Sequence, residues 1–167
     1  MFKDQVIWIT GASSGIGAAF ARQLAKQGAL LVLSGRNLNA LEEVASACGP
    51  DRCLVLPFET TDYAALPALA EQAWGWRNGV DCLINNAGIS QRSLAIETQF
   101  PVYQKVVDVD LLAPIALTQE ILPRMATRKS GRLVFISSVA GKVGSPMRTA
   151  YSAAKHGLIG YADALRV

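Results

Sequence analysis

Five short apolar runs, each separated from the next by an amphipathic stretch, set the strongest limit on how this chain folds. Val6–Thr10, Leu30–Ser34, Cys53–Pro57, Cys82–Asn85 and Leu133–Ser137 have strand length and little polar alternation. A strand that is apolar on both faces has to be covered on both, as in a parallel sheet between helical layers. The intervening segments supply that cover. Residues 15–27 carry Ile16, Phe20 and Leu24 at helical spacing, with Gly28 as the stop. Leu38–Cys48 predicts a second helix, and Asp62 is placed to cap a third that runs to Ala73. A long helix is expected from about 102 to about 128, with Pro101 near its start and a kink at Pro114, and a final helix over 150–166. The expectation is an α/β fold: a doubly wound parallel sheet in three αβα layers, one domain over residues 1–167.

A complete sheet of this kind has six strands in two halves, and five are legible. The chain therefore reads as C-terminally incomplete, cut after the helix that follows the fifth strand, with Leu133–Ile136 left at an open edge.

Composition narrows the partners. The net charge is only +3 and the basic residues are scattered, so neither a nucleic acid nor a membrane surface is expected. The run Val6–Ile9 is too short for a signal peptide or a membrane span. Cys48, Cys53 and Cys82 are odd in number and lack paired spacing, and His156 is the lone histidine, so no metal site is expected. Reduced thiols place the chain in the cytoplasm by default.

The first strand ends in Thr10-Gly11-Ala12-Ser13-Ser14-Gly15-Ile16-Gly17 and a helix follows at once. Glycines there allow a tight turn and a close backbone approach to phosphate. The helix N-terminus offers free N–H groups and positive dipole. Gly11, Ser13, Ser14, Gly15, Ile16 and Gly17 are therefore candidate contacts to a dinucleotide pyrophosphate, which makes the sheet Rossmann-type. No Gly-Lys-Ser/Thr follows, which argues against a nucleoside triphosphatase. The second strand ends in Ser34-Gly35-Arg36-Asn37, with no carboxylate to hold a ribose 2′-hydroxyl. Arg36 suits a 2′-phosphate instead, so NADP(H) is favoured and NAD(H) is the alternative.

Tyr151 and Lys155 stand four residues apart and share one helix face. A free phenol titrates at about 10 and is a poor base near neutrality, but a close ammonium stabilises the phenolate. Tyr151 would then serve as general acid/base for a carbonyl/alcohol pair, with Lys155 bringing its titration toward the working range. Ser138, at the end of the fifth strand, would hydrogen-bond the substrate oxygen.

Three ordered motifs together resemble the classical short-chain dehydrogenases/reductases. They are the glycine turn, Asn85-Asn86-Ala87-Gly88, and Tyr151-Ser152-Ala153-Ala154-Lys155 with Ser138 thirteen residues ahead of the tyrosine. The resemblance implies hydride transfer between NADP(H) and a ketone or secondary alcohol. It also implies that Lys155 and Tyr151 touch the nicotinamide ribose. Asn86, Ala87 and Gly88 would line the cofactor, Glu59 and Thr60 would lie near its adenine, and Asn85 would be structural. It further implies a homodimer or homotetramer built on the long helix and the Tyr151 helix, whose apolar faces include Leu111, Leu112, Leu117 and Leu158. Residues 88–93 and 140–146 are similar to the branch of 11β-hydroxysteroid dehydrogenase-like reductases, which points to a bulky substrate.

One position departs from that pattern. The family carries an Asn in its long helix, and here Asp110 takes the place. Asp110 is a candidate for the cofactor site or a proton relay, and it could equally pair with Lys155 and blunt its effect. A nucleotide-binding protein or fragment without turnover is the alternative that this departure and the missing C-terminal part leave open.

Overall fold

The computed structural model describes residues 2–166. Strands β1 (Val6–Thr10), β2 (Leu30–Gly35), β3 (Cys53–Pro57), β4 (Cys82–Asn85) and β5 (Arg132–Phe135) form one parallel sheet in the order β3-β2-β1-β4-β5. Helices α1 (Gly15–Lys26), α2 (Leu38–Cys48), α3 (Leu66–Gly75), α4 (Phe100–Val107), α5 (Ala113–Arg128) and α6 (Thr149–Ala164) complete the alternation. This is the expected doubly wound α/β architecture. The winding reverses at β1: β2 and β3 extend the sheet to one side, β4 and β5 to the other. A crevice opens at the carboxyl ends of the strands wherever winding reverses in this way.

Period-two alternation sorts the strand side chains onto two faces. Ile7, Ile9, Leu31, Leu33 and Ile84 bury against α1 and α2 through Ala18, Ala21, Leu24, Leu41 and Val44. Val6, Trp8, Val32 and Leu83 bury on the opposite face against α3 and α5 through Leu66, Leu69, Leu117 and Ile121. Trp8 is fully buried, and its Nε1 donates to the buried Ser34 Oγ at 2.9 Å, so the largest core side chain leaves no polar atom unpaired.

Several details differ from the sequence expectations. α1 is amphipathic, but Ile16 is 60% exposed because the first turn overhangs the crevice; Leu24 is buried and Phe20 only partly so. Asp62 makes no capping hydrogen bond; a 3-10 turn over Tyr63–Ala65 intervenes before α3, which extends to Gly75. The long helix is interrupted before Pro114, not at it: Asp108–Leu112 forms a π segment between α4 and α5. Pro114 has no N–H to return to the Asp110 carbonyl four residues earlier, and the wider π turn accommodates that missing bond. Strand β5 ends at Phe135, so Ser137 and Ser138 lie beyond it. Leu117 and Leu158 are buried within the chain and cannot serve an interface; Leu111 lies against α6 at Gly157, and Leu112 remains exposed.

β5 is an edge of the sheet, flanked by a groove of about 640 Å³ between α5 and α6. The described residues include no sixth strand, no helix long and apolar enough to cross a membrane, and no group of His, Cys, Asp or Glu placed to hold a metal.

Burial raises the Cys53 and Cys82 thiols from 9.0 to about 11. The folded state therefore keeps those protons longer than the unfolded chain does. Their contribution to stability is complete below 9.0 and is lost as pH rises toward about 11. Alkylation by iodoacetamide at mildly alkaline pH should be slow at both thiols in the native protein and fast in denaturant. Equal native and denatured rates at Cys82 would contradict its burial.

Candidate active site

The crevice at the reversal point is a cleft of about 700 Å³. The turn from β1 into α1 forms its floor. Gly11 has φ +65°, and a Cβ there would lie 2.9 Å from Ala87 Cα, so only glycine fits between the two strand ends. Gly17 plays a different part from the one expected. It does not line the cleft; a side chain there would run into the Gly11 carbonyl and Asn86 Nδ2. Its role is to let α1 sit close against the turn. Gly11, Ser13, Ser14, Gly15 and Ile16 all line the cleft, and the Ser14 hydroxyl makes no capping bond to α1.

A compact polar knot joins this turn to β4. Thr10 Oγ1 accepts from the backbone N–H groups of Asn86 and Ala87 at 3.0 and 3.1 Å. The same hydroxyl donates to the Ile84 carbonyl at 3.4 Å. Asn86 Nδ2 donates to the carbonyls of Thr10 at 2.9 Å and Gly11 at 3.3 Å. The Asn86 side chain is thus committed to holding the turn, although Asn86, Ala87 and Gly88 all border the cleft as expected. Asn85 is buried and donates to Thr118 Oγ1 at 3.2 Å, a structural bond to α5.

Arg36, Glu59 and Thr60 line the cleft on the β2 and β3 side. Arg36 and Glu59 form a loose pair at 3.7 Å with both side chains largely in solvent, and Thr60 Oγ1 donates to Glu59 Oε1 at 3.3 Å. Such an exposed pair is weak, and Arg36 remains available to an anion.

On the β4 side the cleft ends at Gly88, Ile89 and Val109. Asp110 and Lys155 do not line it; they stand directly behind Gly88. A Cβ on Gly88 would approach Asp110 Oδ2 to 3.1 Å. Asp110 Oδ1 accepts from the Ile89 N–H at 2.7 Å, and Oδ2 lies 3.2 Å from Lys155 Nζ. That second contact is an ion pair outside hydrogen-bond angles, since Oδ2 has no hydrogen-bond partner. Burial pushes the Asp110 carboxyl above the usual range, and the Ile89 N–H and Lys155 act against that rise. Lys155, itself buried, also donates to the Ile136 carbonyl at 3.1 Å, just beyond β5.

Tyr151 is half-buried one turn before Lys155, whose Nζ lies 5.6 Å from the ring centroid. Ser138 does not sit on β5. It caps a 3-10 turn over Val139–Gly141 by accepting from the Ala140 N–H at 3.2 Å, and that turn packs on α6. Among the described residues no hydrogen bond joins the Ser138 and Tyr151 hydroxyls.

Two supports carried no periodicity or motif by which the sequence would reveal them. Gln91 is buried in the loop after β4; its Oε1 accepts from the Tyr151 N–H at 3.4 Å and its Nε2 donates to Thr149 Oγ1 at 3.4 Å. Ser152 Oγ accepts from the Ser145 N–H at 3.2 Å, fastening the preceding loop to α6.

The family described as short chain dehydrogenase matches residues 5–167. Human "Dehydrogenase/reductase SDR family member 7" is 40% identical over 169 residues, covering 98% of this chain and 50% of that protein. "Nodulation protein G" of Rhizobium meliloti is 40% identical over 157 residues, covering 94% of this chain and 64% of that protein. The chain spans about half the length of the first curated relatives it matches. Among solved structures, a short-chain dehydrogenase from Streptomyces avermitilis superposes with a TM-score of 0.93 at 32% identity, covering 97% of this chain and 59% of that one. A metagenomic short-chain oxidoreductase in complex with NADP gives a TM-score of 0.92 at 31% identity, covering 98% of this chain and 76% of that one.

The Thr10 knot yields a direct test. Thr10→Val keeps the shape but removes the hydroxyl that the half-buried Asn86 and Ala87 N–H groups bond to, and losing two such hydrogen bonds should cost about 1–3 kcal/mol in chemical denaturation. A loss well below that range would show that the knot is dispensable.

Proposed function

The chain belongs to the short-chain dehydrogenase family, and from that premise we propose that the whole protein transfers hydride between NADP(H) and a ketone or secondary alcohol. The observation that carries this reading is the placement of Lys155. It is buried between Asp110 and the Ile136 carbonyl, one helical turn from Tyr151, behind the end of a cleft whose floor is a glycine turn at a helix N-terminus.

The residues present fit a dinucleotide. Free N–H groups of α1 and the Ser13 and Ser14 hydroxyls face the cleft and suit a pyrophosphate. Arg36 is exposed beside the cleft, with no carboxylate at the end of β2, which favours a 2′-phosphate and hence NADP(H) over NAD(H). The solved neighbour in complex with NADP supports the same preference. The cofactor supplies the hydride donor or acceptor when bound.

The chain's own side chains would manage the proton and the geometry. Tyr151 gives a proton to the substrate oxygen in reduction and takes it back in oxidation, at its phenol oxygen. Lys155, fixed by Ile136 and Asp110 behind Gly88, keeps an ammonium beside that phenol. Ser138, anchored by its capping turn, hydrogen-bonds the substrate oxygen. Gln91 holds the backbone of α6 at Tyr151 and so positions the acid/base group. Exposed Leu94, Val143 and Met147 lie in the two loops that the Ser93 N–H to Met147 carbonyl bond joins near Tyr151, which supports a bulky apolar substrate. Exposed Leu112 is in keeping with a homodimer or homotetramer built on the long helix, and the cytoplasm is the proposed location.

A second reading, dinucleotide binding without turnover, is favoured by one observation: Asp110 already occupies the Lys155 ammonium. Tyr151→Phe in the full-length protein separates the two. Under the enzyme reading it should lower kcat with carbonyl substrates by about 10²–10⁴-fold while NADPH still binds. In the same assay Arg36→Ala should weaken NADPH binding more than NADH binding. Binding without measurable turnover in the unaltered protein, across a ketone panel, would decide for the second reading.

A further inference from the structure

The Asp110–Lys155 pair is the one buried pair of opposite charges among the described ion pairs, and it lies behind the wall of the proposed cofactor cleft. The side chains are 0% and 5% exposed, so water does little to screen either charge. The surrounding charges sit elsewhere. Arg148 lies 5.9 Å from the Tyr151 ring centroid, toward Ser90, while Asp108 and Lys105 face the cleft from the long helix. As an ion pair, Asp110 and Lys155 together present no net charge to Gly88. An amide at position 110 would leave the ammonium alone there.

The direction of the cleft gives this neutrality a function. The glycine turn lies in the middle, Arg36 and Glu59 on the β2 and β3 side, and Gly88 on the β4 side. A dinucleotide with its phosphates on the turn and one nucleoside at Arg36 has its other nucleoside at Gly88, in front of the pair. The nicotinamide ring is positively charged when oxidised and neutral when reduced, so only the oxidised form responds to a net charge behind Gly88.

We infer that Asp110 is a counter-ion that tunes the redox preference of the cofactor site: by cancelling Lys155 it lets the oxidised dinucleotide bind nearly as well as the reduced one. This rests on the cofactor reading above and adds to it a specific role for the carboxylate. Asp110 acts through Lys155 and the Ile89 N–H; it is a positioning and electrostatic residue, and it touches no reacting atom.

The test is equilibrium binding of NADP+ and NADPH to the full-length protein, read by tryptophan fluorescence or calorimetry. Asp110→Asn keeps an oxygen for the Ile89 N–H and removes only the charge. The ratio Kd(NADP+)/Kd(NADPH) should rise by roughly 3- to 20-fold, the range for unit charges about 10 Å apart at an effective dielectric near 20. In the double variant Asp110→Asn/Lys155→Met the site is neutral again, and the ratio should return to within about twofold of the original. Thermal melting checks that each variant is folded; Asp110→Ser repeats the charge change should the amide not be accommodated. An unchanged ratio in the single variants, with both constants moving together, would make Asp110 merely structural and overturn the inference. A ratio as high in the double variant as in the single would overturn it too. Failure of the unaltered protein to bind either dinucleotide would sink the cofactor reading itself, and the inference with it.

Discussion

The Thr10 hydroxyl is the smallest part of the structure on which the most depends. It sits where the winding of the sheet reverses, with β1 continuing into α1 on one side and β4 into the Asn86–Gly88 segment on the other. Two strands diverging at such a point would leave their terminal N–H and carbonyl groups without ladder partners. One hydroxyl and one amide side chain satisfy several of these groups at once: the Asn86 and Ala87 N–H groups donate to the Thr10 hydroxyl, which donates to the Ile84 carbonyl, and the Asn86 amide donates to the Thr10 and Gly11 carbonyls. The cleft keeps its shape because its floor and its wall are tied at this place. Gly11 and Gly17 are then required by proximity: the knot draws the backbones so close that a Cβ at either has no room.

The fold was legible because strands covered on both faces write continuous apolar runs, and because helices write a period that strands cannot imitate. Strand limits were read correctly for β1, β3 and β4, where burial is uniform or a proline closes the run. The run Leu133–Ser137 overstates the C-terminal end of β5: Ile136 continues the apolar look and its N–H still bonds to the Asn85 carbonyl, yet beyond it the chain turns away to bring Ser138 onto its capping turn. Pro114 marks a disturbance of the long helix, but the irregular residues lie ahead of the proline and not at it. A proline's effect falls on the carbonyl four positions back, and so the irregular turn is at Asp108–Leu112.

The candidate site was legible where chemistry fixes spacing and not where packing fixes it. The glycine turn, Asn86–Gly88 and the Tyr151–Lys155 pair follow rules of backbone clearance and helical repeat that sequence displays directly. Gln91 obeys no such rule. It reaches Tyr151 and Thr149 across a gap of about sixty residues in the chain, and only the folded arrangement of the loop after β4 reveals it. Leu117 and Leu158 taught the converse: an apolar helix face seen in isolation looks available, and here both side chains are consumed by the core of the same chain.

The register of β1 also bears on the order in which the molecule assembles. Its pairing with β2 joins residues separated by one helix, Val6 with Leu30 and Ile9 with Leu33, whereas its pairing with β4 joins Ile7 with Cys82. Closing the second, longer loop costs more chain entropy and gains nothing until β4 arrives, so the β1–β2–β3 half can form before the join. The cleft straddles that join: its floor belongs to the early half and its Gly88 wall to the late one. A molecule that fills the cleft therefore touches both halves of the sheet, and its binding energy acts across the join between them.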